Sequence, residues 1–371
     1  MLSKPPSEGC TRVSLDRTVF HDLRGGLRLN GAMTEAPSTP RRSHWLRNTV
    51  IVLGVLALIV VAVVGTYAFT LSRTFDDKTE TIEDAFPEET TRPPVAEGVA
   101  AAAQNILLLG SDTRGQLDDD IDELRGQRSD AIMVLHVPAD RKHAYVMSIM
   151  RDSWVEIPGR GNAKVNAALA YGGVPLAVQT VENLISARID HVAIVDFEGF
   201  TGLTDALGGV EVDNPIPFSP RHLEGAFFPQ GKVTLSGEEA LAFVRERYAF
   251  ADGDFQRARN QQIYLKAVMG KLLSRDTLTD PGKISATVSA ISPYLKVDES
   301  LDSGYVAGLG FELRSLRTED ITFFTVPTAG TGTSPDGQSI VNLDAEQLAV
   351  VQEAFRTDTL QNYTPEVQSI D

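Results

Sequence analysis

The chain is predicted to be an α/β sandwich on a mixed sheet, preceded by one membrane-spanning helix. Three observations lead there. Residues 48–72 run for 25 positions without a charge. From residue 99 to about 356, apolar runs of strand length alternate with segments of helical period, the pattern of layered α/β domains. The 371 residues are 42% hydrophobic and 23% charged, which excludes collagen-like, disordered and coiled-coil classes for the bulk of the chain.

At about 1.5 Å per residue the run 48–72 crosses a hydrocarbon core of about 30 Å with some tilt. It is longer and begins later than the core of a cleaved signal peptide. Residues 1–47 hold eight Lys/Arg (Arg41, Arg42 and Arg47 abutting the run) against four Asp/Glu. The other flank carries Asp76, Asp77, Glu80, Glu83, Glu88 and Glu89. The positive-inside bias then puts 1–47 in the cytoplasm as a loose tail and everything after 72 outside. Met33 opens a polar, basic leader and is an alternative start; an intact Met1 peptide in the native protein would refute it. Residues 73–98, acidic with prolines, read as a linker with a short helix at 77–86. Residues 99–356 form the outer domain, and 357–371 read as a loose polar tail.

Within that domain, strands are predicted at 104–110, 130–137, 143–150, 191–197 and 320–327. The runs 104–110 and 191–197 have the unbroken apolar character of strands buried on both faces. Helices are expected in the second half of 166–187, at 197–209 closed by glycine, and at 236–248, where Ser236 and Glu239 make a capping box. Others follow at 254–274, 283–296 and 300–316.

The single cysteine, Cys10, excludes a disulfide framework and a cysteine-rich metal site. A net charge of −16 argues against nucleic acid as a partner. His136, His143, His191 and His222 are scattered, and no GxSxG, HExxH or CxxC occurs. DDDIDE (118–123) reads as a solvated acidic loop and GTGTSPDG (330–337), which lacks GK[ST], as a surface turn.

The informative residues are arginines set beside aspartates in an outer part of net charge −20: GSDTR (110–114), QRSDA (127–131), MRDSW (150–154) and VRERYAFADGDFQRARNQQ (244–262). Two of these segments follow strands directly, and α/β sheets gather ligands at the carboxyl ends of strands. A guanidinium pairs two phosphate oxygens at once, and Mg²⁺ takes one or two carboxylates plus phosphate oxygens. Asp112 and Asp130 are therefore the candidate metal pair, and the arginines the candidate phosphate clamp. Apolar helix faces at 174–185, 199–207 and 263–273 are candidates for a lipid groove, against the plainer reading of core packing.

Taken in order, NILLLGSDTR, RSDAIMVLHV, VMSIMRDSWVEIPG, KVNAALAYGG, IDHVAIVDFEGFTGLTDALGGVEVD, the EALAFVRERY segment and GDFQRARNQQ resemble the LytR-CpsA-Psr family of bacterial cell-wall glycopolymer ligases, over residues 104–275. The resemblance implies an α/β/α sandwich with a central mixed sheet and an Mg²⁺-dependent phosphotransferase. Such an enzyme moves a glycan phosphate from a polyprenyl-pyrophosphate-linked glycopolymer to peptidoglycan and releases polyprenyl phosphate. Teichoic acid, arabinogalactan and capsule all remain compatible as the polymer.

By motif match Asp112, Asp130 and Arg151 are catalytic, with Asp112 and Asp130 holding Mg²⁺. Arg128, Arg151, Lys164, Arg245, Arg247, Arg257 and Gln261 contact the pyrophosphate, and Asp152, Asn166 and Asp254 brace the site. Many relatives carry Arg three residues after the first Arg of the last motif. Here that position is Asn260 and Arg259 comes one place earlier, turned about 100° on a helix, so Arg259 is expected to point away. Asp112, Asp152 and Asp254 remain open as the base. A polyprenyl-pyrophosphate hydrolase and a non-catalytic envelope regulator are the alternatives.

Overall fold

The computed structural model describes residues 44–111 and 129–363, without the side chains of 44–52, Ser111 and Asp130. Asp112, Arg128, the loop 118–123, Met33 and nearly all of the tail 1–47 lie outside the described residues. The chain forms two units, Met1–Ile59, which carries the start of the first helix, and Val60–Asp371.

Helix α1 (His44–Lys78) contains the uncharged run. In chain order there follow β1 (Glu80–Ile82), β2 (Gln104–Ser111), β3 (Ser129–Val137), β4 (Ala144–Ile149), β5 (Trp154–Ile157), β6 (Gly161–Lys164), α2 (Ala167–Ile185), β7 (His191–Asp196) and α3 (Phe197–Ala206). Then come β8 (Val210–Asn214), β9 (Gly231–Leu235), α4 (Gly237–Arg245), α5 (Asp254–Leu272), α6 (Arg275–Leu278), α7 (Pro281–Ile291), β10 (Leu295–Asp298), α8 (Ser303–Glu312), β11 (Ile321–Thr325), β12 (Thr328–Thr333), β13 (Ser339–Leu343) and α9 (Ala345–Thr357).

Seven strands form one mixed sheet in the order β1-β10-β7-β2-β3-β4-β11. β2 runs parallel to β7, while β3 is antiparallel to both β2 and β4. This polarity brings the carboxyl ends of β2, β4 and β7 and the amino end of β3 to one edge. On one face Leu107, Val134, Met147 and Ile194 pack against α2 and α9 through Val178, Ile185, Val351 and Phe355. On the other, Ile106, Ala193 and Val297 meet Phe75 of α1 and Leu301, and Met133 and Val146 meet Leu265 and Met269 of α5. The expected α/β/α sandwich is thus present, because alternate strand residues are apolar on both faces and each face needs a cover.

Three sequence expectations are corrected. The span 73–98 is not a free linker: α1 continues to Lys78, and β1 pairs with β10 at the sheet edge, where the buried Lys296 Nζ donates to Glu80 Oε1 at 2.7 Å. Further along, Arg92 donates to the fully buried Glu182 on α2 through Nε (2.9 Å) and Nη2 (2.6 Å), and to Ile189 O. The helix predicted over 283–296 stops at Ile291, since Pro293 cannot continue it, and 295–298 becomes β10. The tail is anchored as far as Tyr363: Leu360 is buried, and the Asp358 carboxylate accepts from His136 Nε2 (3.0 Å) and Ala139 N (3.1 Å). Residues 330–337 form the end of β12 and the turn into β13.

The capping box of α4 is present, with Ser236 N donating to Glu239 Oε2 at 2.8 Å. α2 is bent at Gly172 and Gly173, the latter at φ 66°, so its regular part is the second half, as its sequence implies.

Candidate functional site

A cavity of about 360 Å³ lies between the sheet and α3, α4 and α5. Leu108, Ala131 and Met133 floor it; Phe200 and Leu203 from α3, Leu241 and Val244 from α4, and Leu265 and Val268 from α5 wall it. Its polar lining includes Arg151, Arg245, Arg247, Arg257 and Gln261, with Asp196, His222, Tyr248 and Tyr264 beside them. The arginines and Gln261 come from three places far apart in the sequence: the second residue after β4, the end of α4 with the turn beyond it, and the first half of α5.

Gln261, Leu265 and Val268 follow Asp254 and Arg257 at steps of three and four. Helical period therefore gives α5 one stripe that is charged at its start and apolar further along. Asp254 organises the charged end. Its carboxylate lies 3.2 Å from Arg257 Nη2, 3.6 Å from Arg151 Nε and 3.7 Å from Arg247 Nη1. Burial raises its pKa, but Arg257, a hydrogen bond shared with Asp152, Arg151 and Arg247 together outweigh burial and hold it below the usual carboxylate range. A carboxylate stabilised in this way is a weak proton acceptor and a good brace.

Because the folded value lies below the unfolded one, this contribution to stability is complete above about pH 4 and is lost as pH falls through the lowered value. Acid melts of the wild type should therefore show a loss between these values that Asp254→Asn does not show.

Lys164 Nζ reaches Asp152 at 3.0 Å and is absent from the cavity lining. The buried Asn166 is joined to the site through its backbone, its N–H donating to Arg151 O at 3.2 Å. Arg259 turns away, as expected: its Nε donates to Gln256 Oε1 at 2.9 Å and its Nη2 to Asp252. Asn260 is fully buried and donates to Phe243 O at 3.2 Å, tying α5 to α4. Asp130 holds a bulge position, since Ser129 stands opposite Ser111 and Ala131 opposite Gly110. His136 and His191 are buried on Asn105 and Asp298 and serve the framework.

Of the three apolar faces expected to form a groove, 199–207 and 263–273 line the cavity. The face 174–185 belongs to the opposite layer's core. Sequence reading missed the α4 wall and two polar groups. Asp196 caps α3 by accepting from Gly199 N (2.7 Å), and burial raises its pKa despite that bond. Tyr248 is exposed, its ring within 4.7 Å of the Arg221 guanidinium and 4.6 Å of that of Arg247. Its hydroxyl accepts from Arg247 Nη2 at 2.6 Å, which with the neighbouring positive charges lowers its pKa.

The α3–α4 wall depends on a close approach. Gly237 N donates to Asp205 Oδ1 at 2.8 Å, and a Cβ at Gly237 would lie 2.6 Å from Thr201 O. Gly237→Ala should force the helices apart at a cost of about 1–3 kcal/mol, measurable as a lower denaturation midpoint together with weaker binding of any lipid held in the cavity.

The LytR_cpsA_psr family model matches residues 66–357. The chain belongs to the LytR-CpsA-Psr family. It is 33% identical over 303 residues to the cell wall biosynthesis protein LcpA of Corynebacterium glutamicum, covering 70% of this chain and 57% of that protein, so it spans little more than half of that relative's length. To the polyisoprenyl-teichoic acid–peptidoglycan teichoic acid transferase TagU of Enterococcus faecalis it is 30% identical over 313 residues, covering 82% of this chain and 95% of the other. Among solved structures it is similar to B. subtilis TagV (27% identity, TM-score 0.59, 71% of this chain and 98% of that one). It is also similar to TagT bound to LI-WTA (27%, 0.56, 74% and 98%). Family membership agrees with the resemblance read from the motifs.

Proposed function

We propose that the protein is a phosphotransferase of the bacterial envelope. It moves a glycan phosphate from a polyprenyl-pyrophosphate-linked glycopolymer to peptidoglycan and releases polyprenyl phosphate. The observation that carries this reading is the junction of an apolar cavity with four arginines and a glutamine, Arg151, Arg245, Arg247, Arg257 and Gln261. An isoprenoid diphosphate has the same two-part chemistry, apolar along the chain and multiply anionic at the head. The printed names of the transferase relatives, and TagT bound to LI-WTA, support it.

No nucleotide is needed, because the pyrophosphate bond brings the energy with the substrate. Phosphoryl transfer asks the protein for position and charge neutralisation. The arginines grip the diphosphate, Asp254 fixes their directions, and the cavity holds the leaving lipid.

An in-line displacement requires the acceptor hydroxyl to arrive opposite the leaving oxygen. A second groove, of mixed polar and apolar lining, adjoins the cavity on the shared residues Arg247 and Tyr248 and continues between Asp152, Phe255 and the β12–β13 hairpin at Thr331 and Ser339. It is the natural path for a glycan acceptor. Thr331→Trp should lower transfer at least tenfold while leaving donor binding within about twofold.

Among the described residues no group of three metal-ligating side chains occurs, and Asp152 and Asp254 are already matched to Lys164 and Arg257. Mg²⁺ would therefore be held by Asp112, next in sequence to the end of β2, and Asp130 at the bulge of β3. Two carboxylates completed by phosphate oxygens and water suit its preference for hard oxygen donors. Bound there, it would neutralise charge on the transferring phosphate. The uncharged stretch of α1 anchors the domain as a single-pass span, with the amino terminus in the cytoplasm and the catalytic domain outside.

The deciding experiment supplies the reconstituted full chain with a lipid-pyrophosphate-linked glycan and peptidoglycan. Glycan joined to peptidoglycan through a phosphodiester is expected. Glycan released without an acceptor would identify a hydrolase, and no turnover at all would leave only a binding role.

A further inference from the structure

We propose that α6, the start of α7 and the end of α8 form a surface that rests on the outer leaflet of the bilayer and takes anionic phosphate headgroups. This rests on reading α1 as a membrane span and is independent of the chemistry proposed for the cavity.

The placement comes from hydrogen bonds between α1 and the domain. No residue of the apolar window in Leu53–Lys78 is fully buried. Near its outer end Tyr67 donates its hydroxyl hydrogen to Pro281 O, at the start of α7, at 2.8 Å. About one and a half to two and a half turns further on, Ser72 Oγ lies 2.6 Å from Ser303 Oγ, and Ser303 N donates to Asp76 Oδ1 at 3.0 Å, at the start of α8. The uncharged run ends at Ser72. Both helices are thus pinned to α1 where it leaves the hydrocarbon, and a residue near them cannot lie far from the headgroups.

The surface that follows has the composition of an interface. α8 reads SGYVAGLGFE, yet none of its residues is fully buried, and Phe311 is 67% exposed. Leu278 at the end of α6 is 48% exposed. Between them a depression is lined by Arg275, Arg314 and Arg317 with Glu319 as its one acid, in an outer part whose net charge is −20. The Arg314 guanidinium sits 4.0 Å above the Phe311 ring. Exposed aromatic and aliphatic tips beside arginines are how interfacial segments insert apolar atoms among acyl chains while pairing phosphates. Tyr305 and Leu309 turn one side of α8 onto the core, and its remaining apolar side, with Val306 and Phe311, faces outward in an otherwise acidic domain.

The test uses the full chain with Cys10→Ser, reconstituted in phosphatidylcholine vesicles containing phosphatidylglycerol. Single nitroxide labels are placed through Phe311→Cys, Leu278→Cys, Val60→Cys in α1, and Val350→Cys on α9 in the opposite layer. Collision with oxygen is compared with collision with an aqueous nickel chelate. The labels at 311 and 278 are expected to favour oxygen by roughly threefold or more over the label at 350, as depth in an interface requires. In the same vesicles, Arg314→Gln with Arg317→Gln should reduce that preference at 311. Equal nickel access at 311, 278 and 350, with the label at 60 still in lipid, would overturn the docking surface and leave the anchor standing. A label at 60 freely reached by nickel would remove the anchor and the proposal together.

Discussion

Arg151→Ala is expected to lower glycan transfer by about 10²–10³-fold, the usual cost of removing one preorganised charge donor from a transition state. Arg151, the second residue after β4, lines the cavity while lying 3.8 Å from Asp152 and 3.6 Å from Asp254, so it belongs both to the proposed phosphate clamp and to the brace. Its backbone carbonyl remains bonded to Asn166 N whatever the side chain, so the fold should survive and the thermal midpoint should move little. Arg151→Lys should recover only part of the rate, because an ammonium is a point charge without the two-pronged geometry. Transfer assays beside melts check this; wild-type turnover by the alanine variant would reject the site. Asp130→Ala is expected to abolish transfer in the same assay, with added Mg²⁺ failing to restore it.

The largest effect on stability is expected from Arg92→Ala, far from the chemistry. Glu182 is completely buried, and its Oε1 accepts from Arg92 Nε and Nη2 and from Ile189 N (2.9 Å). Removing the guanidinium leaves a carboxylate inside the protein without its counter-charge, a loss of about 3–5 kcal/mol and roughly 10 °C in thermal midpoint for a domain of this size. Arg92→Met combined with Glu182→Met should recover most of that loss, since it removes both desolvated charges at once. A single variant as stable as the wild type would show that the segment before the sheet is not held by this pair.

Much of the fold was legible because the central strands announce themselves. β2 and β7 are continuous apolar runs, and only a sheet covered on both sides has use for them, while β3, β4 and β11 show as shorter apolar stretches of strand length. The stripe on α5 was equally readable: helical period alone puts Asp254, Arg257 and Gln261 on one side and turns Arg259 off it. What escaped was short or set by distant partners. β1 is three residues long and exists because β10 lies beside it. β10 itself looks like the end of a helix until Pro293 is given its due. Arg92 and Tyr248 have no local pattern, since their partners Glu182 and Arg221 are named only once the chain has folded.

The order and chemistry of the motifs determined the family, the sandwich and the membrane-length helix, because those depend on periodicity, on strand burial and on which residue types can meet a diphosphate. Which arginines converge, which carboxylate braces them, which apolar faces enclose a cavity and which merely fill the core were decided by tertiary structure. These are distances between points far apart along the chain, and they come into being only when the strands align their ends at one edge of the sheet.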